Sequence, residues 1–164
     1  MREKLTGPSS DKRRIAYLAE ATADITGLEL FPQYLTMLFE IDALFCNDDR
    51  HLNNIAVLEQ NGQYDYCPIF DNGAGLLSNT QFSPMDIAPP ALLSALRARP
   101  FNTTFTRQMN TARSLYGPQL TIPKITAEYV RDVLHPLLEY YPQRDRGIIA
   151  GRVEACILTR QKKL

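Results

Sequence analysis

The sequence lacks an excess of charge of either sign and lacks any long apolar run. Eighteen basic residues balance eighteen acidic ones among 164 residues, so no overall field favours nucleic acid or an anionic membrane as a partner. No stretch approaches the ~20 apolar residues of a membrane span, and no basic segment followed by an apolar one opens the chain as in a signal peptide. We therefore expect a cytoplasmic protein without membrane or direct nucleic-acid partners.

Cysteine is also scarce. Cys46, Cys67 and Cys156 are odd in number and show no C-x-x-C spacing, which argues against a disulfide framework and a zinc site. Cys46 and Cys67 lie within apolar runs, so we expect them to be buried, unreactive thiols.

The length suits one domain with its own core, and we predict a single domain over residues 1–164. Apolar periodicity, capping residues and breakers predict a mainly α fold of five to seven helices around one β-hairpin. The predicted helices cover about 11–26, 32–46, 91–97, 104–116, 126–141 (kinked or divided at Pro136) and 143–162. Their predicted inward faces are Ile15, Leu18, Ala19, Thr22 and Ile25; Phe31, Leu35, Leu38, Phe39 and Phe45; and Ile149, Val153, Cys156 and Ile157.

The stretch 47–75 reads NDDRHLNNIAVLEQNGQYDYCPIFDNGAG and organises the rest of the chain. Its Asn61-Gly62 pair between alternating runs predicts a hairpin over about residues 54–69, because both turn residues must adopt φ > 0. With a two-residue loop, Asn54 faces Ile69 on strands roughly 5 Å apart. The hairpin therefore brings Asp49, Asn54 and Asp71 to one end.

These residues suit a metal–phosphate site. Asp49 to Asn54 is D-x-x-x-x-N, the spacing of a kinase catalytic loop, in which the Asp acts on the attacking hydroxyl and the Asn holds magnesium. Asp71 supplies a second oxygen ligand of the kind that Mg²⁺ prefers, and Gly73 frees the backbone to turn beside phosphates. The competing interpretation is that these polar residues only solvate and cap loops.

Two segments carry a family resemblance: D-R-H-L-N-N-I at 49–55 and P-I-F-D-N-G at 68–73. They resemble the catalytic and metal loops of HipA-like kinases, and phosphatidylinositol kinases share the D-R-H-x-x-N form. The resemblance implies a bacterial serine/threonine kinase that uses ATP and Mg²⁺. Asp49 is then catalytic, Asn54 and Asp71 bind metal, and both join Gly73 in binding the nucleotide. The helix before the loop and the helical remainder suit the C-terminal lobe of such a kinase.

The neighbouring residues are open to more than one interpretation. His51 either contacts the transferring phosphate, as a further catalytic residue, or holds the loop in shape by a hydrogen bond, which we favour. Arg50 either pairs with Asp48 or Asp71, or reaches a phosphate. We expect Asp48 to support the loop and His135 to be structural.

The chain departs from the kinase pattern in one respect. It has no G-x-G-x-x-G or G-x-x-x-x-G-K motif, and none of its lysines falls on a predicted strand, whereas a complete kinase has a strand-rich N-terminal lobe with such a lysine. The lysines are Lys4, Lys12, Lys124, Lys162 and Lys163. Either the chain is a fragment of a longer protein, which we favour, or a partner chain supplies the nucleotide lobe, or ATP binding has been lost.

The leading hypothesis is thus the C-terminal lobe of an ATP- and Mg²⁺-dependent phosphotransferase acting on a protein substrate, inactive without its N-terminal lobe. The alternative is a non-enzymatic helical interaction module, such as a toxin–antitoxin component, derived from a kinase lobe. A metal-dependent phosphohydrolase is less favoured, since the sequence offers two carboxylates but no second histidine beside them.

Overall fold

A computed structural model describes residues 10–164 and shows a mainly helical fold with one two-stranded antiparallel hairpin. Six α-helices lie in this described range, within the predicted five to seven; Lys4 lies outside it. In chain order the elements are α1 (Asp11–Thr26), α2 (Phe31–Phe45), a 3-10 turn (Leu52–Asn54), β1 (Val57–Gln60), β2 (Gln63–Tyr66), α3 (Pro89–Ala95), α4 (Phe105–Tyr116), α5 (Ala127–Leu138), α6 (Gln143–Arg160) and a final 3-10 turn (Gln161–Lys163).

Helix α2 is the centre of the fold, with α1, α4 and α6 packed around it. The main core cluster comprises Ile15, Leu18, Ala19, Phe31, Leu35, Leu38, Phe39, Phe101 and Ala112. Phe39 meets Phe101 edge to face, with ring centroids 6.2 Å apart. Two charged side chains of α2, Glu40 and Asp42, are also buried. Glu40 pairs with Arg113 at 2.5 Å. Its carboxylate accepts further backbone hydrogen bonds from residues 119 and 120, so burying this charge leaves no unpaired oxygen.

The predicted helix boundaries are confirmed where a cap specifies them. The side chain of Ser10 accepts a hydrogen bond from the Arg13 N–H, and Gly27 ends α1 with φ 73°. Thr104 caps α4 in the same way. Helix α3 begins at Pro89, two residues earlier than predicted, because proline costs no hydrogen bond in a first turn.

Two predicted core positions are wrong. Ile25 is exposed, since it lies in the last turn of α1 at the edge of the buried face. Phe45 is also exposed. Its backbone, rather than its ring, is covered: the Leu76 N–H donates to the Phe45 carbonyl at 2.6 Å. A Cβ on Gly75 would lie 3.0 Å from that same carbonyl, so glycine is needed for this close approach.

The hairpin has the predicted register, with Val57 opposite Tyr66 and Gln60 opposite Gln63. Asn61 and Gly62 have φ of 54° and 77°, as a two-residue turn requires. The ladder is shorter than predicted, and the expected pairing of Asn54 with Ile69 is wrong. The Asn54 N–H donates instead to the His51 carbonyl at 2.9 Å, and this local turn uses the donor that the ladder would need.

Helix α5 passes through Pro136 and ends at Leu138, short of the predicted residue 141. Helix α6 buries Cys156 and Ile157 as predicted, and it also buries Arg152, whose guanidinium donates to the carbonyls of Leu77, Ser83 and Pro84. That cation holds the irregular segment after Gly75 against the helix.

All three cysteines are free. Cys46 and Cys156 are buried and hydrogen-bonded to each other, and this bond together with burial raises the pKa of the Cys46 thiol. Cys67 is only half-buried. Across residues 10–164, none of the helices is both long and apolar enough to cross a lipid bilayer.

Candidate functional site

The site begins where α2 ends. Cys46 adopts a left-handed conformation and closes the helix, so the chain turns sharply into the acidic loop. The next residue, Asn47, is buried, and its side-chain nitrogen donates to Asp42 and to the Asp71 carbonyl, both at 3.2 Å. Its side-chain oxygen accepts the Asp49 N–H at 3.3 Å. Asn47 thus joins the loop before the hairpin to the loop after it.

The structure brings Asp49, Asn54 and Asp71 together, as the spacing predicted. The Asn54 side-chain nitrogen donates to Asp71 Oδ2 at 2.5 Å and to the Asp49 carbonyl at 3.2 Å. Asn54 is buried, whereas Asp49 and Asp71 are exposed. Two carboxylates therefore face solvent around one fixed amide.

Arg50 lies beneath this site with 0% of its surface exposed. It forms a salt bridge with Asp42 at 3.0 Å, and it also donates to the Asn72 side chain and the Phe70 carbonyl, both at 2.6 Å, and to the Asn54 carbonyl at 3.2 Å. The expectation that Arg50 pairs with a neighbouring aspartate or reaches a phosphate is wrong. The guanidinium is committed to acceptors on α2 and on both loops, so it fixes their relative positions.

Two carboxylates near the loop, buried Asp42 and half-buried Asp48, have a pKa above that of free aspartate. Burial raises the pKa of Asp42, and the hydrogen bonds and charge of Arg50 oppose that rise. Burial also raises the pKa of Asp48, and the adjacent charge of Asp49 adds to the effect. Asp48 is half-buried, which suits the supporting position expected for it.

His51 shapes the loop through its backbone. Its N–H donates to the Asp49 carbonyl at 2.7 Å and its carbonyl accepts the Asn54 N–H. The ring Nδ1 is buried without a hydrogen-bond partner in the described part of the chain, so the favoured side-chain hydrogen bond is not made by that atom. His135, expected to be structural, is exposed in the last turn of α5.

The backbone freedom expected at Gly73 is found elsewhere. Gly73 is exposed with open space where a Cβ would lie, and it is not among the glycines of positive φ in residues 10–164. Asp71 has the left-handed conformation instead, with φ 54°. That conformation turns the chain between Phe70 and Asn72, which both accept hydrogen bonds from Arg50.

Asp71 and Asn54 are the two side chains here that could hold a metal ion. Within residues 10–164 no three His, Cys, Asp or Glu side chains converge as a self-sufficient metal site. The Asn54 amide contacts the Asp71 carboxylate through its nitrogen, so in this orientation the pair offers a metal only the carboxylate oxygens. Mg²⁺ would complete its shell with waters and phosphate oxygens. A flip of the Asn54 amide would turn its oxygen towards the Asp71 carboxylate.

Sequence reasoning missed the cation closest to Asp49. Arg99 Nη1 lies 3.6 Å from Asp49 Oδ1, with 57% and 51% of the two side chains exposed. Fifty positions separate the residues in sequence, so no local pattern could have indicated this pair.

Comparison with protein-family models, with curated proteins and with solved structures finds no match to this chain.

Proposed function

We propose that the chain is the C-terminal catalytic lobe of an ATP- and Mg²⁺-dependent phosphotransferase, of the HipA-like serine/threonine kinase type. One observation carries the proposal: Asn54 contacts both Asp71 and the backbone of Asp49. The two ends of the D-x-x-x-x-N segment, Asp49 and Asn54, thus lie beside Asp71. Phosphoryl transfer by a kinase uses such a group of residues.

Each residue has a distinct role in this proposal. Asp49 orients the acceptor hydroxyl and receives its proton, because it is the exposed carboxylate of the loop. Asp71 and Asn54 hold the magnesium ion, which when bound neutralises charge on the phosphate oxygens. Gly73, exposed two residues after Asp71, is the position at which a nucleotide would meet the backbone.

The buried polar residues position these groups. Arg50 and Asn47 bind the loops on both sides of the hairpin to Asp42 of α2. Asp49 and Asp71 lie on segments that buried hydrogen bonds hold in place. Their carboxylates therefore need to move little during phosphoryl transfer.

The alternative is a non-enzymatic interaction module, and one surface favours it. Tyr129, Val133 and Leu137 of α5 are each about half or more exposed. Their spacing of four residues places them on one face of the helix, and an exposed apolar face is typical of a surface that binds another protein.

The decisive experiment compares Asp49→Ala with Asp71→Ala in protein provided with a nucleotide-binding lobe, in cis or from a partner chain. Asp49→Ala should lower turnover about 10²- to 10⁴-fold with little change in nucleotide affinity. Asp71→Ala should lower both turnover and Mg²⁺-dependent nucleotide affinity. Asn54→Ala should resemble Asp71→Ala but more mildly, since a neutral amide binds a cation less strongly.

The control is Asp132→Ala, an exposed aspartate on α5, which should change neither quantity. Asp49→Ala and Asp71→Ala should stay folded, because both side chains are exposed. Asn54→Ala removes two side-chain hydrogen bonds, so its folding is checked by circular dichroism before its activity is compared. Unchanged turnover in a folded Asp49→Ala protein would exclude the catalytic assignment and leave the interaction module as the better account.

A further inference from the structure

Exposed apolar side chains concentrate in one short stretch of the chain. Of the fourteen large hydrophobic side chains that are exposed in residues 10–164, six lie between residues 129 and 148. They are Tyr129, Val133, Leu137, Tyr140, Tyr141 and Ile148. Single exposed apolar residues are normal on a protein surface, whereas a cluster of them indicates a surface that binds something.

Helix α5 presents several of these side chains in one row. Tyr129, Val133 and Leu137 follow one another at intervals of four residues and are 61%, 49% and 50% exposed. Tyr140, just beyond the last turn, is 88% exposed. The inner side of the helix is already occupied, since Val130 is buried in a core cluster. We call the row of Tyr129, Val133, Leu137 and Tyr140 the outer face.

Acidic side chains border one side of the outer face. Glu128 and Asp132 are exposed and lie one turn apart, and helix geometry places both on the same side of the row. Glu139 continues that side two turns later. The opposite side of the row borders buried Val130. The outer face therefore has a charged border on one side only, and that border is acidic.

The charges of Glu128 and Asp132 are not neutralised within the described part of the chain. The one arginine of α5, Arg131, pairs instead with Glu154 of α6 at 2.9 Å. Arg146 lies at the C-terminal end of α5, where it donates to the backbone carbonyls of residues 139 and 141. None of the ion pairs in residues 10–164 includes Glu128 or Asp132. Both carboxylates are therefore available to cations of a partner.

We propose that the outer face binds an amphipathic helix of another protein, one whose apolar side is bordered by lysine or arginine. Such a helix buries its apolar residues against Tyr129, Val133 and Leu137, as amphipathic helices do in apolar grooves. Its cations meet Glu128 and Asp132, so the charges of the two surfaces are complementary. The inference uses none of the residues of the proposed phosphotransferase site and does not depend on that activity.

Two other occupants suit the outer face less well. An anionic lipid surface would be repelled by Glu128 and Asp132. A second copy of the chain, packed by the same face with its helix antiparallel, would bring the acidic borders of both copies together. This follows because a two-fold axis places equivalent edges of the two helices side by side.

The test uses the 164-residue chain and two fluorescein-labelled peptides, with fluorescence anisotropy measured at low salt. Both peptides are amphipathic heptad repeats with leucine at positions a and d. One has lysine at positions e and g, and the other has glutamate there, so like charges prevent either peptide from pairing with itself. The lysine peptide should bind about tenfold more tightly than the glutamate peptide, and added salt should reduce the difference.

Reversing the charge of the acidic border should reverse that preference. In the double variant Glu128→Lys/Asp132→Lys, the glutamate peptide should bind more tightly than the lysine peptide. The matched control is Asp24→Lys/Glu29→Lys, which makes the same change in net charge at two exposed positions near the end of α1. That control should keep the preference for lysine.

The apolar row is tested separately. Leu137→Ser should weaken binding of the lysine peptide about tenfold, because it removes apolar area that the peptide would cover. Ile25→Ser, at a position 66% exposed on α1, should leave binding unchanged. Circular dichroism checks that both variants fold; if Leu137→Ser does not, charge reversal at the exposed acids decides the question.

Four results would overturn the inference. They are equal affinity for the two peptides, the same reversal in the Asp24→Lys/Glu29→Lys control, binding of phosphatidylserine vesicles that Leu137→Ser abolishes, and self-association of the chain that Leu137→Ser abolishes. The last two would assign the outer face to a membrane or to a second copy. The measurement needs neither nucleotide nor magnesium. Absent phosphoryl transfer with intact lysine-peptide binding would refute only the kinase proposal, and turnover without a difference between the peptides would refute only this inference.

Discussion

At the scale of single residues, the geometry of the site depends on a buried cation that no substrate touches. Arg50 contacts Asp42 of α2, the Asn54 carbonyl and the segment at residues 70 and 72. Removing one member of a buried ion pair leaves the other charge without compensation, which costs far more than the intact pair contributes. The position of Asp71 therefore depends on a residue that belongs to a different loop.

Arg50→Ala should lower the free energy of unfolding by about 3–5 kcal/mol, because Asp42 stays buried without its partner. Arg50→Lys should recover little of this loss, since a compact ammonium cannot reach acceptors on three segments as a guanidinium does. Urea denaturation measures the free energy of unfolding of both variants. Arg144→Ala, at an exposed position, should stay within about 0.5 kcal/mol of the unaltered protein. A loss below about 1 kcal/mol for Arg50→Ala would show that other contacts hold the loops.

The sequence indicates the site residues better than it indicates what supports them. The spacing and one turn dipeptide place Asp49, Asn54 and Asp71 at one end of the hairpin. Their contact is made through the local turn at His51 and not through a longer ladder. The partner of Arg50 could not be inferred in this way. Asp42 lies eight residues earlier, inside a mainly apolar helix, and the choice among acidic neighbours depends on which one is buried with Arg50.

At the scale of elements, caps and turns were predictable because each depends on one or two residues. Gly27 and Asn61-Gly62 adopt the positive φ that their positions require. The length of the hairpin was not predictable, because the turn around His51 competes with the ladder for the same N–H groups. The exposure of Phe45 likewise depends on a distant loop that reaches its backbone.

The hairpin gives a paired test of backbone conformation. Gly62→Ala should lower the free energy of unfolding by about 1 kcal/mol, because φ there is 77° and a Cβ disfavours this conformation. Gly151→Ala in the middle of α6 should raise it by about 0.5–1 kcal/mol, since glycine is costly inside a helix. Neither added Cβ meets an atom within 4 Å. The difference between the two changes in the free energy of unfolding therefore reflects backbone conformation alone.

Urea midpoints measure both glycine variants. The hairpin should contribute to global unfolding because it is docked on α2, with the Tyr66 ring centroid 5.8 Å from that of Tyr34. An unchanged midpoint for Gly62→Ala would show that the hairpin opens independently of the core.

At the scale of the whole molecule, the two ends of α2 face different surroundings. Its C-terminal end carries the acidic loops, where Arg99 pairs with Asp49. Its N-terminal end borders an apolar groove of about 500 Å³ between Tyr34, Met37 and the residues after β2. The two strands in residues 10–164 carry no lysine, so this part of the chain lacks the cation with which a kinase N-terminal lobe holds ATP phosphates.

The 164-residue chain alone should therefore bind Mg²⁺–ATP weakly and show little or no kinase activity. Asp71 and Asn54 offer the metal two oxygens, and with no strand-borne lysine among the described residues we expect a dissociation constant on the order of millimolar. Isothermal titration calorimetry measures it, and Asp71→Ala should remove the remaining Mg²⁺-dependent heat if that heat comes from the site. Micromolar affinity that disappears in Asp71→Ala would show that the helical domain binds nucleotide by itself. The requirement for a second lobe would then be wrong, while the assignment of the metal ligands would stand.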